Sequence, residues 1–85
     1  MSTFQTDNAI KNRLIRIING LLNSNYIDIP KDKPLGEIGL HSLLTFKLIT
    51  EIESNFKITI DMEDLQIEKF SNLSEITELL NKYKR

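Results

Sequence analysis

An all-α fold, a small bundle of three principal helices plus one short helix, is predicted by three observations. Apolar residues recur at helical spacing in three separate stretches of the 85-residue chain. Between the first two stretches the periodicity vanishes from Ser24 to His41, where Pro30, Pro34, Gly36 and Gly39 mark one long connection. The single alternating run, Lys57 to Ile60, is too short to form a sheet without a partner run, and none is present.

The first helix is expected from about Asn8 to Asn23, because Ile10, Leu14, Ile17, Ile18, Leu21 and Leu22 fall on one stripe while Lys11, Arg13, Arg16 and Asn19 fall elsewhere. Gly20 weakens this helix by roughly 1 kcal/mol relative to alanine, a loss that close packing of a neighbouring helix would offset. The long connection is expected to be ordered, pinned to the core by Tyr26, Ile27, Ile29, Leu35 and Ile38. Connections of this length in compact domains are often functional.

From Ser42 to about Phe56 the helical period returns: Leu48, Ile49, Ile52 and Phe56 share one face, with Thr45 among them, opposite Lys47, Thr50, Glu53 and Ser54. Leu43 and Phe46 lie outside that core face, on the side of Ser42. An apolar pair beside a serine needs an explanation, and for Phe46 both an exposed position and a fold over the helix edge stay open. Lys57 to Ile60 is expected to be an extended connector burying Ile58 and Ile60. Asp61 with Asp64 three residues on suggests a capped short helix over roughly Met62 to Ile67, with Leu65 buried. Asn72 with Glu75 resembles a capping box opening a last helix, whose buried stripe is Leu73, Ile76, Leu79, Leu80 and Tyr83. The basic end of that helix, Lys82, Lys84 and Arg85, suits the negative end of its dipole.

Composition narrows the function. With 85 residues, 40% of them hydrophobic and 27% charged, the chain suits a single domain spanning 1–85, and its thin core leaves few side chains to roof an active-site cavity. There is no cysteine and one histidine, His41, so disulfides are excluded and the usual ligands of a zinc site are missing. No run approaches the ~18 apolar residues of a membrane span, and the polar start (Ser2, Thr3, Gln5, Thr6, Asp7, Asn8) lacks a signal peptide's apolar block. A soluble cytoplasmic protein is expected. The net charge is only −1, but Glu51, Glu53, Asp61, Glu63, Asp64, Glu68, Glu75 and Glu78 outweigh Lys57 and Lys69 in their stretch. Nucleic acid would be repelled there, which disfavours a DNA-binding domain.

The chain offers little with which to perform catalysis by itself. A serine nucleophile needs a base in hydrogen-bonding reach, and His41 is the immediate chain neighbour of Ser42, from which its side chain would diverge. Leu43 and Leu44 follow Ser42 where a hydrolase nucleophile elbow wants a glycine. Asp61 and Asp64 lack a calcium loop's glycine-centred pattern, and Gly36 and Gly39 are not followed by a phosphate-loop lysine. Two readings of Ser42 remain. It is either an N-cap or an acceptor held out to another enzyme, at a helix N-terminus that favours an attached phosphodiester.

The run Leu35, Gly36, Glu37, Ile38, Gly39, Leu40, His41, Ser42, Leu43, Leu44, followed by Phe46, Leu48, Ile49, Ile52 and Phe56, resembles the acyl and peptidyl carrier protein family. The likeness covers nearly the whole chain, including the first stripe, the long loop, and the stretch Ile67 to Leu73 leading into the last helix. It implies a carrier that is not itself an enzyme, with a 4′-phosphopantetheine arm on Ser42, attached from coenzyme A by a phosphopantetheinyl transferase. The arm's thiol would hold cargo as a thioester, received from an adenylating or acyl-loading enzyme and passed to condensing or tailoring enzymes. The resemblance makes the second helix the recognition helix, with Leu43 and Phe46 as exposed anchors and His41, Leu44, Lys47 and Thr50 beside them.

One departure from the family pattern is informative. Fatty-acid carriers usually have an aspartate before the serine and an acidic second helix, whereas this chain has His41, Leu44 and Lys47 at those places. Loss of acids weakens steering toward basic fatty-synthase surfaces, and His-Ser-Leu is similar to the peptidyl carriers of nonribosomal peptide synthesis. The expectation is a free-standing, monomeric carrier for nonribosomal-peptide or polyketide type secondary metabolism, aminoacyl or peptidyl rather than fatty-acyl. A competing reading is a helical interaction module without a prosthetic group, binding a partner helix or a second copy through Leu43 and Phe46.

Overall fold

In the computed structural model, residues 7–83 are described. The polar start at Ser2, Thr3, Gln5 and Thr6, and the basic end at Lys84 and Arg85, lie outside them. Three helices carry the fold: α1, Asp7–Leu22; α2, Ser42–Phe56; and α3, Leu73–Lys82. Among the described residues there is no strand. In place of one short helix stand three 3₁₀ turns, Leu35–Ile38, Met62–Asp64 and Ile67–Phe70.

The core joins Ile10, Leu14, Ile15 and Ile18 of α1 to Leu48 and Ile52 of α2 and to Leu73, Ile76, Leu79 and Leu80 of α3. Ile15 is buried although it lies outside the expected stripe, while Ile17, Leu21 and Leu22 are only half-buried. The reason is that α1 packs against both α2 and α3, so its buried arc is wider than a single apolar stripe. Gly20 is exposed, with nothing within 4 Å of the place a Cβ would take. No helix approaches it, and the expected close packing is not there.

Two contacts fix the direction of α2 against α1. Arg13 Nη2 donates to the carbonyl of Asn55 at 2.6 Å, and its guanidinium lies 4.3 Å from the centre of the Phe56 ring. At the other end, Gly39 sits beside Leu22. The two helices are therefore antiparallel, and the end of α1 lies beside the start of α2.

The long connection is ordered, but not by all the residues expected to pin it. Ile29, Leu35 and Leu40 are buried and Ile38 is half-buried, whereas Tyr26 is exposed and Ile27 is 98% exposed. Hydrogen bonds to its backbone hold that part instead. The Asn19 side chain takes both backbone groups of Tyr26, donating to its carbonyl and accepting its N–H at 2.9 Å each. Further on, Leu35 N–H donates to Ser71 and Ser74 N–H to Lys31, which stitches the connection to the start of α3. Gly39 closes the first 3₁₀ turn at φ 106°, a conformation in which a side chain is strained, and so turns the chain into α2.

Beyond α2, Ile60 is buried and Ile58 half-buried, as an extended connector requires. The expected helix over Met62 to Ile67 is broken at Leu65, whose φ −83° and ψ 66° are not helical. The break rotates the side chains: Asp64 is buried, Leu65 is 45% exposed, and Asp61 makes no side-chain cap. The capping of α3 is as expected at its acceptor, with Asn72 Oδ1 taking the N–H of Glu75 at 2.8 Å.

Candidate functional site

Ser42 is the first residue of α2 and is exposed. The residue in the N-cap position is His41, with extended φ −84° and ψ 179°, so the reading of Ser42 as an N-cap is displaced by one residue. His41 gives the helix no side-chain cap. Its backbone is well held: its N–H donates to Gly39 at 3.0 Å, and its carbonyl accepts from Thr45 N–H at 2.8 Å and from Thr45 Oγ1 at 3.1 Å.

The first helical turn thus starts with donors that have no acceptor. The first intrahelical bond is that of Thr45, which leaves the N–H groups of Ser42, Leu43 and Leu44 without a partner inside the helix. No acidic side chain sits in this turn. Unpaired N–H groups at the positive end of a helix favour an anion, and a phosphodiester on Ser42 Oγ fits that requirement. The hydroxyl itself makes no hydrogen bond to a described residue, so it caps nothing and is open to an incoming reagent.

Around it, Leu43 is 70% and Phe46 61% exposed, which settles the position of Phe46 outside the core. Lys47 and Thr50 are exposed, the Thr50 hydroxyl donating to the carbonyl of Phe46 at 3.2 Å. Leu44 differs from these: it is half-buried and packs against the core, so only part of it faces outward. Thr45, Leu48 and Ile52 are buried beneath. α2 accordingly shows a packed face and, beside Ser42, a largely exposed apolar pair, Leu43 and Phe46, outside the core.

The other polar cluster is of a different kind, and spacing in the sequence does not reveal it. The Asp64 carboxylate, 1% exposed, accepts from Lys69 Nζ at 2.7 Å, from Lys82 Nζ at 2.8 and 3.0 Å, and from the Tyr83 hydroxyl at 2.7 Å. Tyr83 Oη in turn accepts the N–H of Asp61 at 2.8 Å. Lys69, then Lys82 and Tyr83, hold the Asp64 carboxyl well below the ordinary carboxylate range. Burial first, and then the bond to Asp64, pushes the Tyr83 hydroxyl up; the bond to Asp64 raises Lys82. With every partner satisfied, this carboxylate is a staple between the 3₁₀ turns and α3 rather than a reactive group. Lys82 and Tyr83 stand 18 and 19 positions from Asp64, too far along the chain for periodicity to pair them.

Among the described residues there is no group of three or more His, Cys, Asp or Glu that could hold a metal, and no helix long and apolar enough to cross a membrane. A surface depression of about 420 Å³ lies between α1 and α3, and none of its lining residues belongs to α2. Ser42 lines neither this depression nor the smaller one beside Lys69 and Lys82.

Comparison with known proteins bears on the chain as a whole. A family model described as the phosphopantetheine attachment site matches residues 12–80. The chain is 27% identical over 82 residues to aminoacyl carrier protein 1 of Bradyrhizobium diazoefficiens, an alignment covering 94% of this chain and 89% of that protein. No solved structure matches it.

Proposed function

The chain belongs to the phosphopantetheine attachment family, and from that premise we propose that Ser42 bears the arm and that the cargo is aminoacyl or peptidyl. As a member of that family the chain is a carrier protein with covalent 4′-phosphopantetheine, not an enzyme. The arm, when attached, supplies a thiol that holds an acyl group as a thioester. What the chain contributes is an accessible hydroxyl on a rigid helix, donors for the phosphodiester, and a surface on which other enzymes dock.

The observation that carries the assignment is the state of Ser42: exposed, first in α2, its hydroxyl bonded to none of the described residues, with three helix N–H groups lacking intrahelical acceptors. Leu43 and Phe46 serve as apolar anchors for the transferase and the loading enzyme, with His41, Lys47, Thr50 and the outer part of Leu44 around them. Two facts favour aminoacyl over fatty-acyl cargo. The first turn of α2 carries no acid for a basic fatty-synthase surface to find, and the Bradyrhizobium relative is named an aminoacyl carrier protein. We read residues 1–85 as one monomeric carrier domain acting in the cytoplasm. Its loading enzyme adenylates the cargo, and condensing or tailoring enzymes of nonribosomal-peptide or polyketide type metabolism take it onward.

The test is intact-mass measurement after incubation with coenzyme A and a broad-specificity phosphopantetheinyl transferase. The expected result is gain of one phosphopantetheine by the wild type and none by Ser42→Ala. Gain that persists in Ser42→Ala moves the arm to another residue. For the cargo, the loaded protein is offered to an amino-acid-adenylating enzyme and, separately, to a fatty-acyl-loading enzyme; acylation by the second alone overturns the aminoacyl reading.

A further inference from the structure

His41 is the sole histidine of the chain, and its position is unusual in what it leaves unused. Its backbone N–H and carbonyl are both bonded, to Gly39 and Thr45, so the residue is fixed in place. Its side chain is exposed, gives no cap, and has no hydrogen bond or ion pair to a described residue. An N-cap side chain ordinarily accepts an N–H of the first turn; here that role is unfilled, and the donors beside Ser42 stay available.

We propose that the imidazole of His41, when protonated, pairs with the phosphodiester that joins the arm to Ser42, and so holds the root of the arm against the start of α2. This rests on attachment at Ser42. Adjacency argues against His41 as a base for the bare serine hydroxyl, since neighbouring side chains diverge from Cα atoms about 3.8 Å apart. It does not argue against pairing with a charged group that extends beyond that hydroxyl, because attraction between opposite charges needs no in-line geometry.

The third 3₁₀ turn, which packs against α2, carries Lys69, held by Asp64 at 2.7 Å, and an exposed Glu68. Glu37, on the 3₁₀ turn before His41, is held by Lys33 at 3.3 Å. The first turn of α2 has no acid, and the first charged residue along α2, Lys47, has the same sign as the imidazolium. The last turn of α1, which reaches this end through Leu22 beside Gly39, has no charged residue. The phosphodiester keeps its single negative charge across the neutral range, whereas histidine is the side chain whose ordinary titration falls between about pH 5 and 8. The pairing is therefore made when the imidazole is protonated and released when it is not.

The experiment uses protein loaded with phosphopantetheine and verified by mass. Its single ³¹P resonance is followed from about pH 5 to 8 in the wild type and in His41→Gln, which keeps a polar side chain of similar reach but no charge. A phosphodiester does not itself titrate in this range, so movement of its resonance reports a neighbour that does. The expected result is a sigmoidal displacement in the wild type and a flat line in His41→Gln. A flat line in the wild type, or a displacement that survives in His41→Gln, overturns the pairing. The His41 ring protons give a second measurement on the wild type alone: they should move between the unloaded and loaded forms at low pH, and identical positions count against the proposal. Failure of the mass gain would instead remove the Ser42 assignment, so the two failures are told apart.

Discussion

The start of α2 and the Asp64 cluster are both polar, yet they are built to opposite rules. At Asp64 a nearly inaccessible carboxylate has three side-chain donors, and one of these, Tyr83, also takes a backbone N–H. At Ser42 the hydroxyl bonds to none of the described residues, the first-turn N–H groups have no intrahelical acceptor, and two large apolar side chains face outward. A small domain with a thin core can tolerate such a deficit only where water or a ligand reaches the groups concerned. The lesson is that unsatisfied, exposed polarity marks the place of exchange with other molecules, and satisfied, buried polarity marks a place of internal support.

The largest effect that tests this contrast is at the cluster. Asp64→Asn keeps the shape of the side chain but removes the charge that faces Lys69 and Lys82, and it should lower the thermal midpoint more than any single substitution on the exposed side of α2. Breaking a buried charge pair by altering one partner is among the severe classes of substitution. Thermal unfolding near neutral pH checks it; a midpoint as high as the wild type's would show that the cluster is decoration and that the contrast with Ser42 is false.

The pH profile sharpens the same point. The folded Asp64 carboxyl lies below its ordinary value, held there first by Lys69, so its stabilisation is complete above about pH 4 to 5 and is lost as pH falls toward the folded value. Tyr83 and Lys82 are raised, so their contribution is complete below about pH 9 to 10 and is lost as pH rises through the folded values. Stability measured by chemical denaturation across pH should show a plateau between these limits. In Asp64→Asn both limbs should be shallower than in the wild type, and unchanged limbs would assign the acid loss to other carboxylates.

These two regions are not equally legible in the sequence. The helical period and the glycine-bearing approach at Gly39 put Ser42 at the head of α2, because both signals are local and physical. The bounds of α2 and the packed face of Leu48 and Ile52 follow from the same period. The Asp64 cluster is not legible, since two of its three partners, Lys82 and Tyr83, come from the end of a distant helix and the motif it displays, Asp61 with Asp64, imitates a cap. The reversal at Leu65 has the same origin: one non-helical residue turns its neighbours' side chains to other faces, and nothing in the period announces it. Ile27 and Tyr26 look like core residues by their apolarity alone, whereas Asn19 orders the backbone of Tyr26 without burying either side chain. His41 as the N-cap residue escapes notice because it supplies no capping side chain, the feature by which caps are recognised.

Phe46→Ala should be smaller in its effect on the fold and selective in its effect on function. At 61% exposure the ring covers little of the core, so the stability change should stay near the roughly ±0.5 kcal/mol typical of surface sites. Loading by the transferase and by the cognate enzyme should fall much further, through a weaker encounter rather than a slower chemical step, if Phe46 is a docking anchor. A rise in KM with unchanged kcat for the carrier as substrate is the expected pattern. A large fall in the thermal midpoint, with KM unmoved, would place Phe46 with the internal supports and leave Leu43 to carry the docking alone.

The smallest expected effect is the most discriminating. Ser42→Ala should abolish attachment of the arm while changing stability by less than about 0.5 kcal/mol, because the hydroxyl bonds to none of the described residues and alanine is the better helix former. Were Ser42 a capping residue, the same substitution would cost about 1 kcal/mol. Equilibrium unfolding of the unloaded wild type and variant separates these outcomes, and mass measurement on the same samples reads the chemistry. Loss of attachment at unchanged stability is what an unsatisfied group at a site of exchange requires; loss of both would mean that the start of α2 supports the fold as Asp64 does, and the distinction between the two regions would fail.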